Sequence, residues 1–359
     1  MSIGFDKSRW ERVKEDNRAW WAGELKRPLI NITIGGRDPG RPAPELPPYS
    51  FTAFYDLSVP AEAIVDRWDY DLSCQKFLGD GFPQMFPNFG PGVAAAFMGA
   101  ELLSSVEAGT VWFHPVHEQQ ISDISLQYDP ENVWLRRVSD IMSAATDRFS
   151  GLVQVSMTDL GGSLDVLSSF RPSQELLFDL YDYPEEVKRV NWEAHELWWR
   201  YFDQLNSVLQ PTNPGYSAWA GIFSETPHYM LQCDFCYMIG PDMFDEFVKP
   251  ELAASCKRMP HAFYHLDGPG QLPHLDSLLA IPELKGVQWI PGSGAADWEH
   301  WPEVYRKIRD AGKLIQLYGG LQVLDTVTEQ LGSAEGIVFN AWCGSDAGVQ
   351  EFLAKYGVE

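Results

Sequence analysis

The stretch "HAFYHLDGPGQLPHLDSLLAIPELKGVQWIPG", residues 261–292, decides how the chain is read. It opens as an apolar aromatic run, turns at Gly-Pro-Gly, continues as a leucine-spaced amphipathic segment, and returns to an apolar run at "GVQWI". Strand, loop, helix, strand is the pattern of one βαβ unit. The same rhythm extends to both sides. Upstream, "GTVWFHPV" precedes "NVWLRRVSDIMSAATDRF", "GLVQVSMTDLGG" precedes "PEEVKRVNWEAHELWWRYFDQL", and "YSAWAGIF" precedes "GPDMFDEFVKPELAASCKRM". Downstream come "WEHWPEVYRKIRDAG", then "KLIQLYGG" with "VLDTVTEQL", and "GIVFNAWCG" with "GVQEFLAKYG". Strands alternating with helices pair in parallel through right-handed crossovers. Seven such units, with "LINITIG" as an eighth strand, predict an α/β fold, a (β/α)8 TIM barrel over residues 61–359. Residues 1–60 read as an N-terminal extension packed on that barrel. No Gly-x-Gly-x-x-Gly follows a strand, so a dinucleotide-binding sheet has no fingerprint here.

Composition narrows the partners. With 45% hydrophobic and 21% charged residues, the chain has the balance of a folded enzyme rather than a disordered segment. A formal net charge of −23 repels phosphate backbones and anionic lipid, which argues against nucleic acid and membrane surfaces as partners. The charged, aromatic N-terminus lacks a signal peptide's apolar core, so a cytoplasmic location is expected. Five cysteines, an odd number in a long chain, do not suggest a disulfide framework. Whether the protein forms a homodimer is left open by the sequence.

In a barrel of this kind the site lies where strands end and loops begin. Strand ends bring forward Trp112, Asp159, Glu225, Tyr264, His265, Asp267, Gln288, Trp289, Trp342 and Cys343. Trp112, Glu225, Tyr264, Gln288, Trp289 and Trp342 are the candidate substrate contacts for a small molecule. Asp159, Asp234, His265 and Asp267 are the candidate catalytic groups. Side chains two apart on a strand share a face, so His265 and Asp267 aim together at the barrel mouth. A His-x-Asp pair there suits a divalent metal, with Cys343 as the best third ligand. The plainer alternative is a histidine held by hydrogen bonds beside a carboxylate. His274 and Asp276, after Pro273, are expected to be structural. The Cys-x-x-Cys of Cys233 and Cys236 has no second pair and reads as packing. Asp234 between them is either a helix cap or a functional acid.

Several runs resemble the uroporphyrinogen decarboxylase-like superfamily. "LQCDFCYMIGPDMFDEFVKPEL" (231–252) is similar to its "DFS-MISPEMFEEFVLPEL" pattern, and "GGSLDVLSSFRPSQELLFDLYDYPEEV" (161–187) to its "RG-E-LL-D-L-D-PEEV" stretch. "FYHLDGPGQLPHLDSLL" (263–279) takes the place of its "HxCG" or "HxDG" strand end, and together the matches span roughly residues 80–359. The resemblance implies a (β/α)8 barrel and either porphyrinogen decarboxylation or zinc-dependent methyl transfer between corrinoids and thiols. The arginine-rich "MRQAGRY"-like run of the decarboxylases is missing; "KRPLINI" stands there instead. That favours the methyltransferase branch, whose zinc ligands fall on His265, Asp267 and Cys343, with aspartate replacing a cysteine. The expectation is therefore a metal (zinc)-dependent methyl or alkyl transferase, with a corrinoid as co-substrate carried by a corrinoid protein. The alternative is a metal-independent lyase, decarboxylase or hydrolase of a polyol or sugar-like molecule, using the cavity carboxylates.

Overall fold

The apolar runs become strands buried on both faces, as a parallel sheet covered by helices requires. The computed structural model describes residues 3–358. Its strands are β1 (Leu29–Ile34), β2 (Lys76–Gly79), β3 (Gln84–Met85), β4 (Glu101–Ser105), β5 (Thr110–His114) and β6 (Gln154–Val155). They continue as β7 (His228–Leu231), β8 (His261–Asp267), β9 (Gly286–Ile290), β10 (Leu314–Tyr318) and β11 (Ile337–Cys343). Seven form one sheet in the order β2-β1-β11-β10-β9-β8-β7, parallel except for β2. β3 and β6 make a separate parallel pair, and β4 with β5 an antiparallel hairpin. The architecture is thus α/β around a mainly parallel sheet.

The expected strand "LINITI" forms, inside the 1–60 segment read as an appended extension: β1 sits within the sheet, pairing with β11 along its whole length and with β2. Two features depart from the expected strand list. The segment "GTVWFHPV" is not a strand of the main sheet, because β5 is used up in its hairpin with β4. "YSAWAGIF" forms no strand either. Its Tyr216 bridges Ser224, the residue after it, and Gln154 donates to the carbonyl (3.1 Å) and accepts from the amide (3.1 Å) of Gly215, the residue before it. The true strand is "HYML", four buried residues that follow after 224–227. Where β6 might meet β7, Met157 donates to the Ser217 carbonyl instead (3.0 Å) and Leu160 N donates to Tyr229 Oη (2.8 Å).

One end of the sheet is closed by the helix Arg9–Trp21. Trp10 packs against Phe223, and Trp21 stacks on His261 at the start of β8 (centroids 4.2 Å, planes 14° apart). Arg27 binds Asp80 through two contacts of 2.7 and 2.9 Å, and Asp80 also accepts the Ile30 amide (2.8 Å), which pins β1 beside β2. This leaves the carboxyl ends of the strands as the end that can be open.

The closed end makes a pH prediction. Burial lowers the pKa of His228 to about 4, and that of His261 likewise to about 4, with Lys285 adding to the latter. Between that value and the ordinary 6.5 the unfolded chain binds more protons than the folded one. Stability therefore rises with pH there and is lost as pH falls from about 6.5 toward 4. Asp159 and Asp165, whose pKa values burial raises to about 6 and about 7, act in the opposite sense over an overlapping window. A difference measurement isolates the histidine. Relative to His228→Gln, which keeps a donor for the His261 carbonyl, the parent protein should lose up to about 3 kcal/mol on acidification from pH 7 to 4. Urea unfolding of both proteins at the two pH values checks it; an unchanged difference would refute the assignment.

Candidate active site

At the carboxyl end of β8 the chain must turn sharply, and Gly268 does so at φ +78°, its amide bonding the Ile290 carbonyl (2.8 Å). The turn leaves Asp267 and His265 side by side on one face, with Asp267 Oδ2 3.7 Å from His265 Nε2. Asp234 comes from the loop after β7. Ligand atoms of Asp234, His265 and Asp267 lie within 4.8 Å of one another, the one His/Cys/Asp/Glu group of three or more among the described residues close enough to hold a cation.

The backbone of Asp234 is clamped by a residue the sequence reading missed. Asp165, in the first turn of the helix Ser163–Ser168, accepts the amides of Asp234 (3.0 Å), Phe235 (2.7 Å) and Gly162 (3.3 Å). Its own pKa is pushed up to about 7, first by burial and then by the Asp234 charge. The available signal was an aspartate three positions past Gly162 at a helix start, the place of a capping-box acid. Asp234 is exposed as a residue, yet its pKa is raised, first by desolvation of the carboxyl group and then by Asp267 and Asp159, while His265 pulls it down.

His265 is held from behind by a chain of amides. Ala220 O accepts from Gln316 Nε2 (2.6 Å) and from the Tyr318 hydroxyl (2.9 Å), so the Gln316 oxygen must face Gln288 and accept from its Nε2 (2.8 Å). That turns the Gln288 oxygen toward His265 Nδ1, its hydrogen-bond partner. A carbonyl oxygen can only accept, so Nδ1 carries the proton and the neutral ring presents its lone pair at Nε2, toward Asp267. The tautomer is fixed by a backbone carbonyl three residues removed. Burial alone would lower the His265 pKa; Asp267, Asp234 and Gln288 together raise it above the ordinary value. The Trp219 indole meets the imidazole edge-on, centroids 4.8 Å apart and planes at 86°.

Two cavities flank this group. One, of about 420 Å³, is walled by Trp112 and His114 of the β4–β5 hairpin and by Asp165, Gln232, Asp234 and Phe235. Asp159 is buried behind that wall, accepting from Gln232 Nε2 (3.1 Å) and the Gly161 amide (2.9 Å), so it props Gln232. The other, of about 360 Å³, lies at the carboxyl ends of β10 and β11 and includes Trp219, Tyr318, Asn340 and Trp342.

Strand alternation explains which other candidates fall outside the site. Gln288 points in, so Trp289 points out, fully buried against Trp301 (5.1 Å) and touching neither cavity. Tyr264 is likewise turned away from His265 and buried beside Gln271 and Cys236 (3.4 and 3.7 Å). Asn340 and Trp342 face the second cavity, which puts Cys343 on the opposite face of β11, and it is not part of the cation-capable group. Asp234 stands where Cys343 was expected. Glu225 precedes β7, at the closed end, and pairs with Arg18 (2.6 Å). Cys233 and Cys236 are buried packing residues. His274 is buried too, stacked on Phe244 (4.6 Å) with Nε2 bonding the Cys236 carbonyl (2.8 Å). Asp276 is exposed and pairs with Lys307 (2.9 Å). Asp276→Ala should therefore cost less than about 1 kcal/mol and leave activity intact; a folded but inactive variant would overturn this.

No protein-family model and no curated protein sequence matches the chain. A solved structure does. It is a methyltransferase from Methanosarcina mazei, similar over 92% of this chain and 93% of that one, with a TM-score of 0.59 and 14% sequence identity. The likeness at that identity is one of fold, shared nearly end to end. Among the described residues no helix is long and apolar enough to cross a membrane.

Proposed function

We propose that the protein is a metal-dependent methyl or alkyl transferase in which His265, Asp267 and Asp234 hold a divalent cation. The observation that carries the reading is the convergence of two carboxylates, Asp234 and Asp267, on an imidazole whose Nε2 lone pair is already directed at them. One nitrogen and carboxylate oxygens, without a thiolate, suit zinc and equally manganese or iron(II). The donor set fits a cation; it does not reproduce the cysteine-rich zinc ligation that the resemblance implied. When bound, the cation lowers the pKa of a coordinated thiol or water.

The rest is done by the chain. Gln288 keeps His265 in its Nε2-basic tautomer, Asp165 keeps the Asp234 carboxylate opposite it, and the Trp112 hairpin covers the adjoining cavity. The fold likeness to a methyltransferase supports the reaction class. We further read the main sheet and the β3–β6 pair as parts of one TIM barrel, with β2 on the edge of β1 away from β11 and the 215–217 segment inserted between β6 and β7. A corrinoid carried by a separate protein is the methyl donor that the sequence resemblance suggests.

The test uses protein stripped with a chelator and reloaded with one equivalent of zinc, manganese or iron(II). Methyl transfer from methylcobalamin to a thiol panel is followed by the absorbance of the demethylated corrinoid. One cation per chain and turnover only after reloading are expected. Equal turnover by the stripped protein would replace this reading with acid-base chemistry by the cavity carboxylates.

A further inference from the structure

The second cavity differs from the first in kind. None of the side chains lining it is charged, although the chain as a whole carries a formal charge of −23. Its polar side chains are amides, a phenol and the Thr33 hydroxyl, and its walls are aromatic, with Trp219 on the His265 side and a largely exposed Trp342 (67%) at the rim.

Two of the amides have settled orientations. Asn340 accepts from Gln316 Nε2 through Oδ1 (3.1 Å), so its other edge is a donor, engaged only in a long bond to the Gly221 carbonyl (3.5 Å) that Asn31 Nδ2 shares (3.5 Å). Gln84 donates its Nε2 to the Ala218 carbonyl (2.9 Å), so its other edge is an acceptor. Both edges converge at Gly221, whose φ of +72° favours glycine. A side chain there would meet the Asn340 nitrogen at 3.1 Å and the Gln84 oxygen at 3.5 Å; glycine leaves the pair open. Asn31, also in the lining, has a buried carbamoyl oxygen without a hydrogen-bond partner among the described residues.

A donor and an acceptor side by side are the complement of a lactam or primary amide, which offers an acceptor beside a donor. Flanking indoles are the complement of a flat ring. We propose that this cavity is a binding site for an uncharged planar ring bearing a lactam or carbamoyl group, separate from the cation group and independent of the transfer reading. Its volume, about 360 Å³, takes one or two fused rings. A carboxylate in place of the amide could still accept from Asn340, but it has no N–H for the Gln84 oxygen, which it would face charge to lone pair, and it would be desolvated without a cation.

The site is also wired to His265. Tyr318 and Asn340 line the cavity, and each hydrogen-bonds the Gln288–Gln316 chain that holds Nδ1. A ligand here reaches the imidazole without touching it.

The experiment is ligand-observed NMR titration of the purified full chain with two matched pairs: nicotinamide against nicotinate, and uracil against orotate. Each uncharged member should bind with a Kd of roughly 1 mM or below, as compounds of this size do in a formed site, and at least about tenfold more tightly than its carboxylate. Asn340→Asp keeps the acceptor for Gln316 but replaces the donor with a charge, and should abolish the preference. Trp342→Ala, at the exposed rim, should weaken both uncharged compounds at least about fivefold without affecting folding. Binding of uncharged compounds should also move the His265 ring nitrogen shifts. The proposal is overturned if neither uncharged compound binds, if the carboxylates bind as well, or if Trp342→Ala leaves binding unchanged. None of these outcomes bears on whether a cation binds or a methyl group is transferred.

Discussion

His265→Ala should yield a folded protein that no longer retains its cation and no longer turns over. The imidazole is the sole nitrogen in the donor group, and its loss leaves two carboxylates, one of them exposed. Cation affinity should fall roughly a thousandfold, about 4 kcal/mol, and turnover by at least as much. The cost in stability is smaller, about 1–3 kcal/mol, because the Gln288 oxygen loses its partner in a buried place. A graded companion tests the tautomer argument. Gln288→Leu leaves the ring present but free to place its proton on either nitrogen, and should weaken the cation about 10- to 100-fold. Isothermal titration of stripped protein with zinc reads both. Full metal stoichiometry and undiminished turnover in His265→Ala would sink the site; a Gln288→Leu variant binding as tightly as the parent would sink the relay.

Asp165→Ala should be the most damaging change in the cavity wall that touches no donor atom of the cation group directly. It removes the acceptor of three backbone amides, those of Gly162, Asp234 and Phe235. The Gly162 and Phe235 amides are partly buried and cost about 1–3 kcal/mol each when unpaired, so about 2–6 kcal/mol in total is expected. Released, the loop after β7 no longer holds Asp234 against His265, and cation affinity should fall about 10- to 100-fold. Asp165→Asn keeps one oxygen and should recover part of both losses. Urea unfolding with metal titration on the two variants decides the matter. Wild-type stability in Asp165→Ala would mean that other contacts hold the loop.

The alternation of strand and helix was legible because continuous apolar runs and leucine spacing are local. So was the pairing of His265 with Asp267, which needs only the pleat of one strand. What was not legible depended on contacts across the sequence. "YSAWAGIF" has a strand's composition, but Gln154 holds the backbone of Gly215 just before it and Met157 donates to its Ser217 carbonyl, both from elsewhere in the chain. Cys343 was placed at the right strand end and on the wrong face, because the register of β11 against the cavity is set by its neighbours. Trp289 and Tyr264 failed for the same reason: each adjoins a residue that points in, and both cannot. Asp165 offered only a capping-box position at a helix start, which says nothing of the loop it clamps, and the Gln288–Gln316 chain was invisible as a motif, since an amide's role depends on which carbonyl it meets.

That amide chain has a consequence for how the protein meets changes in its surroundings. Glutamine and asparagine neither gain nor lose protons anywhere in the range where proteins stay folded. Had a carboxylate stood in the place of Gln288, as it does behind many metal-bound histidines, every drift in acidity would have been written onto the ring behind it. Here the back of the imidazole is electrically silent, and only its front, toward Asp267 and Asp234, responds to the medium. The orientation of the ring is thereby insulated from the acidity that governs its charge.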